Sequence, residues 1–214
     1  MKNIFFDLDG TLTDSGLGIT NSVAYALKKL QQPALEIQEL ELFIGPPLVD
    51  AFMDVAGLTK EEALLGVQYY REYYPEKGIF ENELYAGVTE MLTELQAAEK
   101  TLFLTTSKPQ LYAEQILAHF GLTQFFKGIY GASMDGSLSA KGDIIRQALT
   151  KEKLSPADTI MVGDREYDIR GAYQNDLMSV GVLYGYGTEV ELNTAGAHYF
   201  AESPLEVAEI LLGE

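Results

Sequence analysis

The sequence predicts an α/β fold, a parallel sheet wrapped by helices, with one helical insertion. Three observations carry this. After residue 86, short apolar runs of strand length alternate with longer amphipathic stretches. Between Ser15 and Glu81 that alternation stops, and helical patterns follow one another without a convincing strand. Acids, hydroxyls and a lysine gather where the apolar runs end, which is where open α/β sheets bind ligands.

"NIFFDL" (3–8) reads as a buried strand that ends in a Gly-Thr turn. "TLFLTTS" (101–107), "GIYGAS" (128–133), "DTIMVGD" (158–164) and "LMSVGVLYG" (177–185) read as four more. Helices are expected over 87–98, 109–120, 142–154 and 168–175. In the first of these, Val88, Met91, Leu92 and Leu95 share one face. A last helix over 203–212 opens with Ser203 as N-cap and Pro204 at its first position. Strands alternating with helices make a parallel sheet.

A βα connection is normally a few residues, so the stretch 15–81 is too long to be one. It reads as an inserted helical cap with helices over 18–31, 36–43, 47–56 and 60–74. The core domain is then 1–14 with 82–214. In the cap, Tyr69, Tyr70, Tyr73 and Tyr74 form an aromatic stripe expected to be core, while Arg71 falls off it. In "FIGPPL" (43–48), Gly45 and Pro46 make a tight loop, either a plain connector or a substrate-selecting loop.

Composition narrows the chemistry. Fifteen Lys+Arg stand against 32 Asp+Glu, a net charge of −17, which argues against coating duplex nucleic acid but not against a small anionic substrate. There are no cysteines and only two histidines, His119 and His198, both expected to be structural or on the surface. Any metal is therefore expected to be a hard cation held by oxygens. No signal peptide or membrane span is legible, so a soluble cytoplasmic protein is expected.

The strand ends supply the candidates. Asp7 and Asp9 are two apart, so in extended chain their side chains point the same way and repel. A shared Mg²⁺ removes that problem, and Asp164 completes the protein's share of its oxygen ligands. Asp168 steadies these ligands from behind, although Asp164 and Asp168 both also fit a helix N-cap. A carboxylate beside Mg²⁺ can attack phosphorus, and the second acid can then protonate the leaving alcohol. Thr105 and Thr106 would hold phosphoryl oxygens and Lys141 would balance their charge. Lys108 competes with Lys141 for that role but fits a surface or supporting charge better. Arg165 reads as a surface or ion-pair residue.

These residues carry a resemblance. "DLDGTLTDS", "LFLTTSK", Lys141 and "VGDREYD" are similar, in order and across the whole chain, to the four motifs of the haloacid dehalogenase superfamily. The stretch "GDREYDIRGAYQND…VGVLYGYG" resembles the branch holding phosphoglycolate phosphatases and related 5′-nucleotidases. The resemblance implies a Rossmann-like core with a helical cap that opens and closes, and phosphatase activity on a small phosphomonoester through an aspartyl-phosphate. It implies Asp7 as nucleophile and metal ligand, and Asp9 as acid/base that gives its backbone carbonyl to Mg²⁺. Asp164 becomes the third ligand, supported by Asp168. Thr105 becomes the second-motif hydroxyl and Lys141 the third-motif lysine. Leu8, Asp9 and Thr106 would offer amides to phosphate, and Gly45 and Pro46 would help choose the substrate.

The chain departs from the pattern at two places. Thr106 is read as standing where many phosphoglycolate phosphatases have Asn, and Ala86 replaces a common Pro. Asp9 distinguishes ester hydrolysis from dehalogenase and phosphonate-cleaving chemistry, which lack that acid. A sugar phosphomutase keeps both acids and stays an alternative, as does a non-catalytic interaction protein that kept the fold. The expected partner is a small phosphorylated metabolite, with no duplex nucleic acid, no membrane, and a monomer or homodimer.

Overall fold

Asn3–Phe6 (β1) is buried along its whole length, as expected of a strand covered on both faces of a sheet. In the computed structural model, which describes residues 1–213, β1 pairs in parallel with Thr101–Pro109 (β4) on one side and Thr159–Gly163 (β6) on the other. Phe126–Ala132 (β5) flanks β4. Met178–Val182 (β7) and Tyr199–Ala201 (β8) extend the other side. The order β5-β4-β1-β6-β7-β8 reverses direction about β1, so the ligand-binding crevice of such a sheet lies at the carboxyl end of β1.

Register decides which side chains share a face. Phe5 is level with Phe103 and with Met161, and the Phe5 and Phe103 rings meet edge to face at 5.5 Å. These three join a buried cluster with Ile144, Ile145 and Ala148 of Lys141–Glu152 (α7) and Ala172 of Glu166–Tyr173 (α8). Phe6, Leu104 and Val162 are level on the opposite face. Buried residues of Val88–Ala97 (α5), Gln110–His119 (α6) and Pro204–Gly213 (α10) supply the remaining helical layer of the core. The amide of Glu206 donates to Ser203 Oγ at 3.2 Å, the expected cap.

The chain divides into two compact units, Met1–Thr13 with Leu84–Glu214, and Asp14–Glu83. The short strands Thr13–Asp14 (β2) and Glu83–Leu84 (β3) mark the crossings. The second unit is helical throughout: Gly16–Lys29 (α1), Ile37–Glu41 (α2), Leu48–Asp54 (α3) and Lys60–Tyr73 (α4). Helices α1 and α3 both pack on α4. Gly66 permits this, because a Cβ there would press within 3.3 Å of Leu30 and Phe52. Thr59 and Glu62 form a reciprocal cap at the start of α4. Gly45 and Pro46 sit half-buried in the bend between α2 and α3, with Gly45 at φ 108°.

Four readings change. The tyrosine stripe is not uniformly core: Tyr70 and Tyr74 are buried and stacked at 5.1 Å, but Tyr69 and Tyr73 are half-buried. Successive helical residues lie about 100° apart, so the two i,i+4 pairs straddle the edge of the buried face. The strand expected over 177–185 ends at Val182, and 183–187 is a bent loop. The helix Glu189–Ala195 (α9) and strand β8 carry no clear periodicity and are additional elements. Helix α8 begins at Glu166, ahead of the expected 168. Among the described residues, no helix is long and apolar enough to cross a membrane.

Phe103 is fully buried at the centre of the cluster on one sheet face. Phe103→Ala is expected to cost about 3–5 kcal/mol of stability, read as a shift of the denaturant midpoint.

Candidate active site

The amide of Asp7 donates to the Val162 carbonyl at 2.9 Å, continuing the β1–β6 ladder one residue beyond the strand. The carboxylate is thus fixed by the sheet. The chain then turns sharply. The Leu8 carbonyl accepts the amides of Thr11, Leu12 and Thr13, and Gly10 adopts φ 79°, open to glycine at little cost. Leu8 itself is wholly buried and anchors the turn.

Lys141, at the first position of α7, reaches back to this turn. Its ammonium is 2.8 Å from Asp7 Oδ1 and 2.7 Å from Asp168 Oδ1, and donates to the Thr105 carbonyl at 2.9 Å. Its side chain is 3% exposed. Burial lowers its pKa, but Asp168 and Asp7 outweigh that and the net direction is upward, so Lys141 stays charged. Asp168 also accepts the Arg165 amide at 3.1 Å, so its side chain helps cap the start of α8 as well. Both of its oxygens are engaged, which suits a supporting role.

Asp164 follows β6. Its Oδ2 accepts the Tyr186 amide at 2.9 Å, and its Oδ1 accepts the Thr11 hydroxyl at 3.4 Å. Burial pushes its carboxyl well above the ordinary value, and Asp168 and Asp7 push it further. Asp7 is also raised by burial, and Lys141 pulls it back without cancelling the effect. Carboxylate oxygens of Asp7, Asp164 and Asp168 lie within 4.8 Å of one another. Four buried or half-buried carboxylates, counting Asp9, face the two ammonium groups of Lys108 and Lys141. The Arg165 guanidinium is committed to Glu191 at 2.9 Å. The uncompensated negative charge and the all-oxygen donor set fit a divalent hard cation.

Two expectations are corrected here. The Thr105 hydroxyl does not face the site. It donates to Met161 Sδ at 3.3 Å inside the core, because Thr105 shares the sheet face of Phe103. The hydroxyl that reaches Asp7 is that of Thr106, one residue later on the other face, and it also accepts the Lys108 amide at 3.2 Å. Lys108 is not on the surface either. It is buried and pairs with Asp9 Oδ2 at 2.8 Å, leaving Asp9 Oδ1 with no hydrogen-bond partner. A register irregularity between Thr106 and Pro109 turns the strand end there. That irregularity hides Lys108 from a simple alternation argument.

The raised Asp7 and Asp164 carboxyls fix a direction of pH dependence. An acid whose native pKa lies above its unfolded value binds more protons when folded, so it destabilises the fold as pH rises from about 4 through the raised native value. With chelator present, Asp164→Asn is expected to gain stability relative to wild type at neutral pH and to lose that gain as pH falls toward about 4, read by thermal melts.

The chain is 42% identical over 201 residues to a 5′-nucleotidase of Pseudomonas aeruginosa, covering 94% of this chain and 91% of that one. It is 38% identical over 185 residues to the tyrosine-protein kinase PtkA of Mycobacterium tuberculosis, covering 86% of this chain and 62% of that longer one. The crystal structure of a predicted phosphatase from Clostridium acetobutylicum superposes with a TM-score of 0.97 at 44% identity, covering 100% of this chain and 99% of that one. The family model described as haloacid dehalogenase-like hydrolase matches residues 4–182, and the chain belongs to that family.

Proposed function

We propose that this hydrolase is a Mg²⁺-dependent phosphatase that releases phosphate from a small phosphomonoester through an aspartyl-phosphate on Asp7. The observation that carries it is the buried Asp7 carboxylate, held by Lys141 at 2.8 Å and set beside Asp164, with the Thr106 hydroxyl against it. Asp7, Asp164 and the Asp9 carbonyl would hold the ion, which supplies positive charge to the phosphoryl oxygens. An Asp7 oxygen attacks phosphorus as the ester P–O bond breaks, and Asp9 delivers a proton to the departing alkoxide. Asp9 then takes a proton from water as that water attacks phosphorus; the bond between Asp7 and phosphorus breaks, the carboxylate is regenerated and inorganic phosphate leaves. Lys141 balances charge on the phosphoryl group throughout. The hydroxyl of Thr106 and the amides of Leu8 and Asp9 are the proposed oxygen donors.

A nucleoside 5′-monophosphate is the first substrate to test, supported by the name of the Pseudomonas relative. Phosphoglycolate is the second. Gly45 and Pro46 are proposed for substrate choice on the family resemblance alone.

Asp7→Asn is expected to abolish phosphate release and covalent phosphate capture while the protein still folds. Retained turnover would overturn the aspartyl-phosphate route. Phosphate returned to a sugar substrate in place of release would identify a mutase. Thr106→Val is expected to lower kcat/KM by about a hundredfold, the cost of losing one oriented donor. Thr105→Val keeps most of the activity, because its hydroxyl lies in the core.

A further inference from the structure

The bent loop after β7, residues 183–188, belongs to none of the four motifs, yet it touches two of them. The Tyr184 hydroxyl donates to the Thr11 carbonyl at 3.0 Å, in the turn that follows Asp7 and Asp9. The Thr11 side chain donates in turn to Asp164 Oδ1 at 3.4 Å. Two residues on, the Tyr186 amide donates to Asp164 Oδ2 at 2.9 Å. Gly185, between them, has no room for a side chain: a Cβ there would overlap the Gly10 carbonyl oxygen and Asp164 Cβ. The Tyr184 ring is seated edge to face on Tyr85 at 5.0 Å. Burial, with Asp164 and Tyr85 nearby, pushes its phenol pKa up, so the hydroxyl remains a donor.

We propose that Tyr184 is a positioning residue: the 183–188 loop clamps the Gly10–Thr11 turn against Asp164 and so sets how tightly the acidic site holds its divalent cation. The argument is geometric. Asp164 and the first turn come from distant parts of the chain, and strand pairing fixes their backbones only as far as Asp7 and Gly163. Beyond those residues the carboxylate's orientation rests on two hydrogen bonds, one from Tyr186 of this loop and one from the Thr11 side chain, whose backbone carbonyl Tyr184 holds. Partners that orient a metal-holding carboxylate in this way govern affinity without touching the ion.

The inference rests on the Mg²⁺ reading above, and its test separates the two. Wild type and Tyr184→Phe are titrated with Mg²⁺ alone, by calorimetry and by thermal shift without substrate, and assayed on an aryl phosphate at saturating Mg²⁺. Tyr184→Phe is expected to need about tenfold more Mg²⁺ for half-saturation, with KM at saturating Mg²⁺ unchanged. Thr11→Val is expected to act in the same direction and Thr11→Ser to restore affinity, so the answer stands if one variant folds poorly. The Tyr184→Phe/Thr11→Val double variant is expected to bind Mg²⁺ no worse than the weaker single, because both act in one relay. An unchanged Mg²⁺ midpoint in Tyr184→Phe, with or without a lower melting temperature in chelator, overturns the positioning role alone. A wild type with no Mg²⁺ response in any readout overturns the metal reading and the clamp with it.

Discussion

The Lys141 ammonium lies between the Asp7 and Asp168 carboxylates and is tied to the Thr105 carbonyl, all in a buried setting. Two acids at this depth cannot both stay ionised without it. It joins the end of β1, Thr105 of β4 and the first turn of α8 to the start of α7, so the sheet and the two helices packed on it share one charge. Removing that charge would leave carboxylates uncompensated in the interior, which costs about 3–5 kcal/mol when one partner of a buried pair is lost. The lysine balances only part of the acid that surrounds it. The remainder makes the site a receptor for further positive charge.

Sheet order explains why these groups meet. The reversal of direction about β1 opens a crevice at its end, with Thr106 and Lys108 on the β4 side and Asp164 on the β6 side. Glycines make the close packing possible where backbone must approach a carboxylate, as at Gly10 and Gly185 against Asp164. The helical unit is held by different means: aromatic contacts such as Phe43 with Phe52 at 5.1 Å, and a glycine at the α4 face.

Much of this was legible from sequence, for a physical reason. Strands such as "NIFFDL" are uniformly apolar because both faces are covered, and they end abruptly in polar residues because the site begins there. Asp7, Asp9, Asp164, Asp168 and Lys141 could be placed on that basis, and the structure brings them to one strand-end cluster. What failed needed register or distant partners. The choice between Thr105 and Thr106 turns on a period of two, and a one-residue error exchanges core for site. Lys108 is buried because a distorted strand end aims it at Asp9, and no local pattern reports that. Tyr184 looked like the tail of a strand, since the carbonyl that its hydroxyl meets lies 173 residues earlier in the chain.

The sheet order also has a consequence for how the site comes into being. β1 precedes the helical unit, but both strands that flank it, β4 and β6, lie far later in the chain, beyond that whole unit. Until those strands and α7 exist, the Asp7 carboxyl has neither its sheet neighbours nor its lysine and stays in water. Lys141, Asp164 and Asp168 lie within one short span of the chain, beyond both the helical unit and β4. Asp7 therefore gains its buried surroundings only once β4, α7 and β6 have all been made, well after its own strand.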